Sequence, residues 1–359
     1  MLIQKSRIPI KDILLYGFLP SFIKKILYRL KGYKIGKRVS IGFGSVIIAD
    51  EVHIGSYTQI GFLTIIRGKR ISIGDYVSIG STVFLDTPYL EIGEGSKINE
   101  QVFIGGLQFP DSKFVMGRNC QIMQMTFINP ARYITVGDDS GIGGHCLLFG
   151  HTSWLSHFEG YPVEFQPIEI GKSVSIAWGA FILPGSQIGD GAVIGARSVV
   201  SRTIPPKCLA LGYPARVVSK YPDFPKELSD NELLEILQKV VSEMIDYFRD
   251  SGLNCEGNDN NFRIVSIRKF FLIRRKKIWR LKVRYDAPIH RDIQDDEHTP
   301  DVFLSLKYIS PQLRSQLSLK KVVWIDIENK EQSLYSNELG DEVILFLKRY
   351  GIRLFRANT

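Results

Sequence analysis

The sequence is poor in cysteine. Four cysteines (Cys120, Cys146, Cys208, Cys255) are spread over 359 residues, and none forms a CxxC pair. That spacing excludes a disulfide scaffold, argues against a structural zinc site and points to a reducing compartment. No apolar run reaches the ~18 residues a membrane span needs. Charged residues make up 23% and apolar residues 44%, which excludes a disordered or collagenous chain. The length fits one to three domains.

Acidic residues are almost missing from one stretch. The first forty residues hold ten Lys/Arg and a single acid, Asp12. The formal net charge is +9, so the rest of the chain is close to neutral. A basic N-terminus suggests an anionic partner, and a lipid surface is one candidate. The apolar stretch around 13–23 contains Pro20 and no small-residue cleavage site follows, so no cleaved leader is expected. Residues 21–31 predict an amphipathic helix. Phe22, Ile23, Ile26, Leu27 and Leu30 fall on one side, and Lys24, Lys25 and Arg29 on the other. Such a helix either caps the open end of a solenoid or lies on a membrane, and one helix can do both.

An internal repeat fills the middle of the chain. From Ile35 an aliphatic residue returns every six positions, often followed by Gly. The triplets run Ile35/Ile41/Ile47, Ile54/Ile60/Ile66, Ile73/Ile79/Leu85 and Ile92/Ile98/Ile104. They continue as Met116/Ile122/Ile128, Val136/Ile142/Leu148, Ile170/Ile176/Ile182 and Ile188/Ile194/Val200. Neither a helix nor an alternating strand has a period of six. A three-sided coil does. Each side contributes one inward aliphatic, a turn takes about 18 residues, and stacked turns bury a continuous column. Two breaks interrupt the register, near 105–113 and 150–167. The second reads GHTSWLSHFEGYPVEFQP, rich in histidine and aromatics. Long loops on a regular scaffold often carry function.

After Lys220 the repeat stops. Residues 228–248 predict a helix with Ser229 as N-cap and Glu232 three positions on. Strands are expected over 262–267, 278–285 and 322–327, and a helix over 339–350. The stretch 263–284 holds ten Lys/Arg and no acid. It reads as paired strands with a basic face, and no RNA-binding signature accompanies it, so no nucleic-acid partner is expected. The acid-rich 290–301 has no metal-ligand spacing and reads as a solvated loop.

The repeat resembles the hexapeptide-repeat acyltransferases, and residues 35–218 carry the resemblance. It implies a left-handed parallel β-helix, whereas general topology rules favour right-handed crossovers. The expectation is a mainly β protein: a left-handed β-helix of about eight coils over 35–220, a basic amphipathic segment over 1–34 and a C-terminal α/β domain over 221–359. Within that family the segment 168–218 is similar to the maltose/galactoside O-acetyltransferase branch. The resemblance places His151, in FGHTSW, at the catalytic histidine, a general base toward an acceptor hydroxyl that attacks the thioester of acetyl-CoA. Asn129, in TFINP, matches an active-site asparagine or else caps an Asx-turn before Pro130.

The same resemblance sets Trp178, Gly179 and Ala196 beside the pantetheine arm or the thioester. It sets Ser201, Arg202 and Arg216 at the nucleotide end, where basic groups pair with phosphate. Arg202 and Arg216 read alternatively as solvated surface charges. One departure stands out: the family has V-W-I-G-A here, and this chain has Val174-Ser175-Ile176-Ala177-Trp178. A bulky Trp178 where a small residue is usual is expected to narrow the acyl or pantetheine channel. His145 and Cys146 read as structural. Trp154, His157, Phe158 and Tyr161 are the loop residues available to an acceptor sugar.

The expected function is acetyl-CoA-dependent O-acetylation of a bacterial surface polysaccharide (capsule, O-antigen or exopolysaccharide) or its precursor. The expected place is the cytoplasm, peripherally at the inner membrane face. Family members are usually trimers. N-acylation of an amino sugar nucleotide and a non-catalytic scaffold are the alternatives. A zinc-dependent γ-type carbonic anhydrase needs three histidines across coils, and no third histidine completes a set with His145 and His151. No metal is expected.

Overall fold

The computed structural model describes residues 8–258, 260–270, 273–288 and 299–357. The acid-rich stretch read from the sequence lies outside them for residues 290–298, as do Lys5 and Arg7 of the basic segment. The described chain divides into two compact units, Met1–Glu227 and Leu228–Thr359.

The first unit is a three-sided parallel β-helix. Its three sides are sheets of eight, ten and eight strands, in which every third strand of the sequence is a neighbour as far as Val193–Ile194. Strands Glu51–Ile54, Gln59–Ile60 and Ile65–Arg67 make one coil. The inward residues of that coil, Ile54, Ile60 and Ile66, are buried. The repeated aliphatics form one continuous core from Ile35 to Val200, and truncating a member typically costs about 2–5 kcal/mol. Glycine after the inward residue is a packing requirement. A Cβ on Gly61 would sit 2.6 Å from the backbone of Gly80 in the next coil.

The coils are not uniformly the length the sextet period suggests. Register pairs Lys34 with His53, and Glu51 with Arg70, which is 19 residues per turn. The turn from Ile170 to Ile188 takes 18, and the next, from Ile188 to Ile204, takes 16. The extra residue sits where the third side passes into the first, as between Val46–Ile48 and Glu51–Ile54.

The N-terminal helix forms over Ser21–Leu30, but Lys24, expected among the outward cations, turns inward, and Ile23 and Leu27 are half-buried. Lys24 and Tyr28 are buried, while Phe22, Ile26 and Leu30 are exposed. The first coil has no coil before it, so its edge amides and carbonyls need polar partners. Lys24 Nζ donates to the carbonyls of Gly42 and Ser45 at 2.7 and 2.9 Å, and the Ile47 amide donates to the Tyr28 hydroxyl at 3.0 Å. Burial pushes the Lys24 amine down to about 8. At the other end the antiparallel pair Cys208–Gly212 and Ala215–Lys220 extends the second side.

The second unit is a seven-stranded sheet whose order follows the sequence. Its long helix, Asp230–Asp250, starts with the Ser229–Glu232 capping box anticipated from the sequence. The basic stretch forms the antiparallel strands Asn261–Phe270 and Ile273–Arg284. A helix over Pro311–Leu319, which the sequence reading passed over, is capped by Ser310.

Candidate active site

His151 stands just past the end of the third side, after strand Leu147–Phe149. The base of its loop is zipped. His151 and Phe165 form an antiparallel bridge. The Thr152 amide donates to the Glu164 carbonyl, and the Gln166 amide to the Gly150 carbonyl, both at 3.1 Å. The earlier excursion meets this base: Phe109 packs edge-on against Phe165 with ring centroids 5.0 Å apart, and Arg132 covers Phe109 at 4.2 Å. Two breaks that look independent in the sequence thus build one structure.

The His151 ring is held from both nitrogens. Nε2 lies 2.8 Å from Asn129 Nδ2. At Nδ1 the Ser153 hydroxyl lies at 3.1 Å, and the Ser153 amide points to it from 3.3 Å. Burial lowers the imidazole below its usual 6.5, because the charged form loses hydration. Burial thus favours the neutral ring.

Asn129 ends strand Phe127–Asn129, one coil below Phe149. It is buried, and its Oδ1 has no hydrogen-bond partner. A buried amide oxygen left unpaired is costly. Gly106 makes the space for this side chain. Its φ is +125°, and a Cβ there would lie 2.6 Å from Asn129 Nδ2. The amide and Nε2 are in direct contact at 2.8 Å, so an acceptor hydroxyl reaches Nε2 by displacing that contact.

The remaining candidates are not gathered around His151 in one chain. Trp178 and Gly179 lie before strand Phe181–Ile182, and Ala196 one coil further on at the same corner. That corner is at the opposite end of the third side from His151, on the order of 20 Å away at ~3.3 Å per residue. Arg216 is near Ala196, since its pairing partner Leu211 closes over Gly195. Ser201 and Arg202 follow strand Val199–Val200, so they share the His151 corner two coils on. All of these except Gly179 are exposed.

Trp178 lies against Gly144, where a Cβ would come within 2.6 Å of the indole, and 5.6 Å from the His145 ring. At the loop tip Trp154 and Phe158 are fully solvent-facing, and His157 Nδ1 lies 3.0 Å from the Tyr161 carbonyl. These tip residues do not touch His151. Cys146 is buried and its thiol is pushed up by desolvation, as a structural thiol would be. Among the described residues no group of three His, Cys, Asp or Glu side chains is placed to hold a metal.

Ser153, Gly106 and the Phe109–Phe165 contact escaped the sequence reading. The only signals were a serine two positions after the histidine and a second glycine after Ile104.

No protein-family model matches the chain. A candidate acetyltransferase of Schizosaccharomyces pombe is 39% identical over 110 residues, 30% of this chain and 50% of that protein. The galactoside O-acetyltransferase of Escherichia coli is 34% identical over 125 residues, 32% of this chain and 60% of that one. The repeat domain is akin to the hexapeptide-repeat acetyltransferases. The chain spans about half the length of the curated relatives it matches. A hexapeptide-repeat acetyltransferase of Vibrio cholerae, solved with acetyl coenzyme A, covers 58% of this chain and 83% of its own at 19% identity and a TM-score of 0.27.

Proposed function

We propose that the β-helix unit transfers an acetyl group from acetyl-CoA to a sugar hydroxyl, with His151 as general base. The observation that carries this reading is the His151–Asn129 pair, an imidazole 2.8 Å from a buried amide with one unpaired oxygen. The acceptor O–H gives its proton to Nε2 as the oxygen attacks the thioester carbonyl. Asn129 holds the hydroxyl; this step requires the proton of the neutral ring on Nδ1, shared with the Ser153 hydroxyl, and the Ser153 amide, which points at Nδ1 in the resting structure, turned away. The tetrahedral intermediate collapses, and the CoA thiolate leaves and takes the proton back. No covalent enzyme intermediate is needed when both substrates are held together.

Trp178, Gly179, Ala196 and Arg216 form the proposed CoA corner, with Arg216 toward phosphate. Because that corner and His151 are at opposite ends of one side, the reading requires a second copy of the chain to complete each site, as in a homotrimer. The acceptor is a bacterial surface polysaccharide or its precursor, met by the exposed Trp154, Phe158 and Tyr161, whose rings suit a pyranose face.

The test is CoA release from acetyl-CoA with a panel of sugar acceptors, for wild type and His151→Ala. Loss of a general base lowers the rate by about 100-fold or more. Equal rates would remove His151 from the mechanism, and a product acetylated on nitrogen would move the reaction to amino sugars. Mixing His151→Ala with Trp178→Ala chains tests the shared site: activity above either variant alone supports it, and none argues against it.

A further inference from the structure

The cap leaves an outer face uncovered. On helix Ser21–Leu30 the positions four apart, Phe22, Ile26 and Leu30, share one face, and Lys24 and Tyr28 lie opposite. The inner face is used up in closing the first coil. It places Lys24 on two carbonyls, Tyr28 under the Ile47 amide and the Ser21 hydroxyl under the Ile41 amide at 3.0 Å. The large apolar side chains therefore point away from the protein, with Phe22 62%, Ile26 54% and Leu30 80% exposed. The turn of helix before it adds Leu14, Leu15 and Phe18, which are also exposed. Closing the first coil accounts for the inward Lys24, but not for six large apolar side chains left facing solvent.

Charge identifies the occupant. Lys25 and Arg29 flank the apolar stripe, and Lys11, Lys31 and Lys34 stand exposed nearby in sequence. Arg29 also reaches the Ile35 carbonyl at 2.9 Å, and Lys31 lies over Tyr16, so both cations are held in place. Asp12 is the only acid in the first forty residues. An apolar ridge edged by cations matches the boundary between acyl chains and anionic headgroups. No helix among the described residues is long and apolar enough to cross a membrane.

We propose that residues 10–31 are a docking surface for an anionic lipid bilayer, which lays the N-terminal end of the β-helix on the membrane. The inference is independent of the acyl-transfer reading, since it requires no activity. It is tested by flotation of the full-length chain with vesicles of phosphatidylcholine alone and of equimolar phosphatidylcholine and phosphatidylglycerol, at low and at near-physiological salt. The wild type should float with the anionic vesicles and less well as salt rises. The triple variant Phe22→Ser/Ile26→Ser/Leu30→Ser should bind at least tenfold more weakly with an unchanged thermal melt. Lys11→Gln/Lys25→Gln should lose binding to anionic vesicles while keeping all the apolar surface. Wild type that stays unbound to both vesicles overturns the proposal. So does equal binding to both compositions. Light scattering that shows the triple variant breaking a wild-type oligomer in the absence of vesicles would assign the face to self-association and overturn it as well.

Discussion

Replacing Gly106 by alanine tests the site through a residue that touches no substrate. The new Cβ would fall 2.6 Å from Asn129 Nδ2 and 2.8 Å from its Cγ. An ordinary contact needs about 3.5 Å, so the amide must move by roughly 1 Å. Asn129 is buried and cannot swing into solvent. Its 2.8 Å contact with His151 Nε2 is the one disturbed. A displacement of that size in a catalytic group costs on the order of 10–100-fold in kcat. The backbone adds a second, separable effect. At φ +125° an alanine is strained by about 1–3 kcal/mol, which lowers Tm by roughly 2–10 °C in a unit of this size. Steady-state acetyl transfer and a thermal melt, repeated in an Asn129→Ala background, separate the two. The activity loss should vanish there, because Asn129 no longer exists to be displaced, while backbone strain persists. Undiminished activity of Gly106→Ala, or a loss that simply adds to that of Asn129→Ala, would refute the proposed path through the amide.

Other outcomes follow from the same geometry. Because burial holds the His151 imidazole below 6.5, kcat/KM should be flat at pH 7 and fall only as pH drops through that lowered value, so an acid limb centred above 6.5 would contradict the assignment. Ser153→Ala removes the hydroxyl 3.1 Å from Nδ1; it should lower kcat by roughly 5–10-fold and move the acid limb further down, since the imidazolium loses a charge-assisted bond. Gly144→Ala should push the indole of Trp178 aside and raise KM for acetyl-CoA by roughly 3–10-fold with a smaller change in kcat, whereas an unchanged KM would separate Trp178 from the CoA arm. Phe109→Ala deletes the edge-on contact with Phe165, worth about 0.5–1.5 kcal/mol, and should make the loop base a faster site of limited proteolysis than in wild type.

The scaffold was legible in the residue pattern alone. A period of six, punctuated by glycine, allows only a three-sided coil, since an inward residue on every side must meet its counterpart above and below. All eight triplets lie in register in the core for that reason. The helix start at Ser229 was equally legible, because a capping box is a local interaction between neighbours in the chain. His151 and Asn129 were legible as residue types on a resembling motif.

Their partners were not. Ser153 at Nδ1, Gly106 beneath Asn129 and Phe109 against Phe165 are meetings between segments that leave the repeat, and nothing periodic fixes where such segments return. The N-terminal helix shows the same limit from the other side. Its pattern of Phe22, Ile26 and Leu30 against Lys24 gives two faces but not which one turns inward. The carbonyls of Gly42 and Ser45 at the open end of the first coil decided that, since with no coil before them they need a donor more than the aliphatic column needs another side chain.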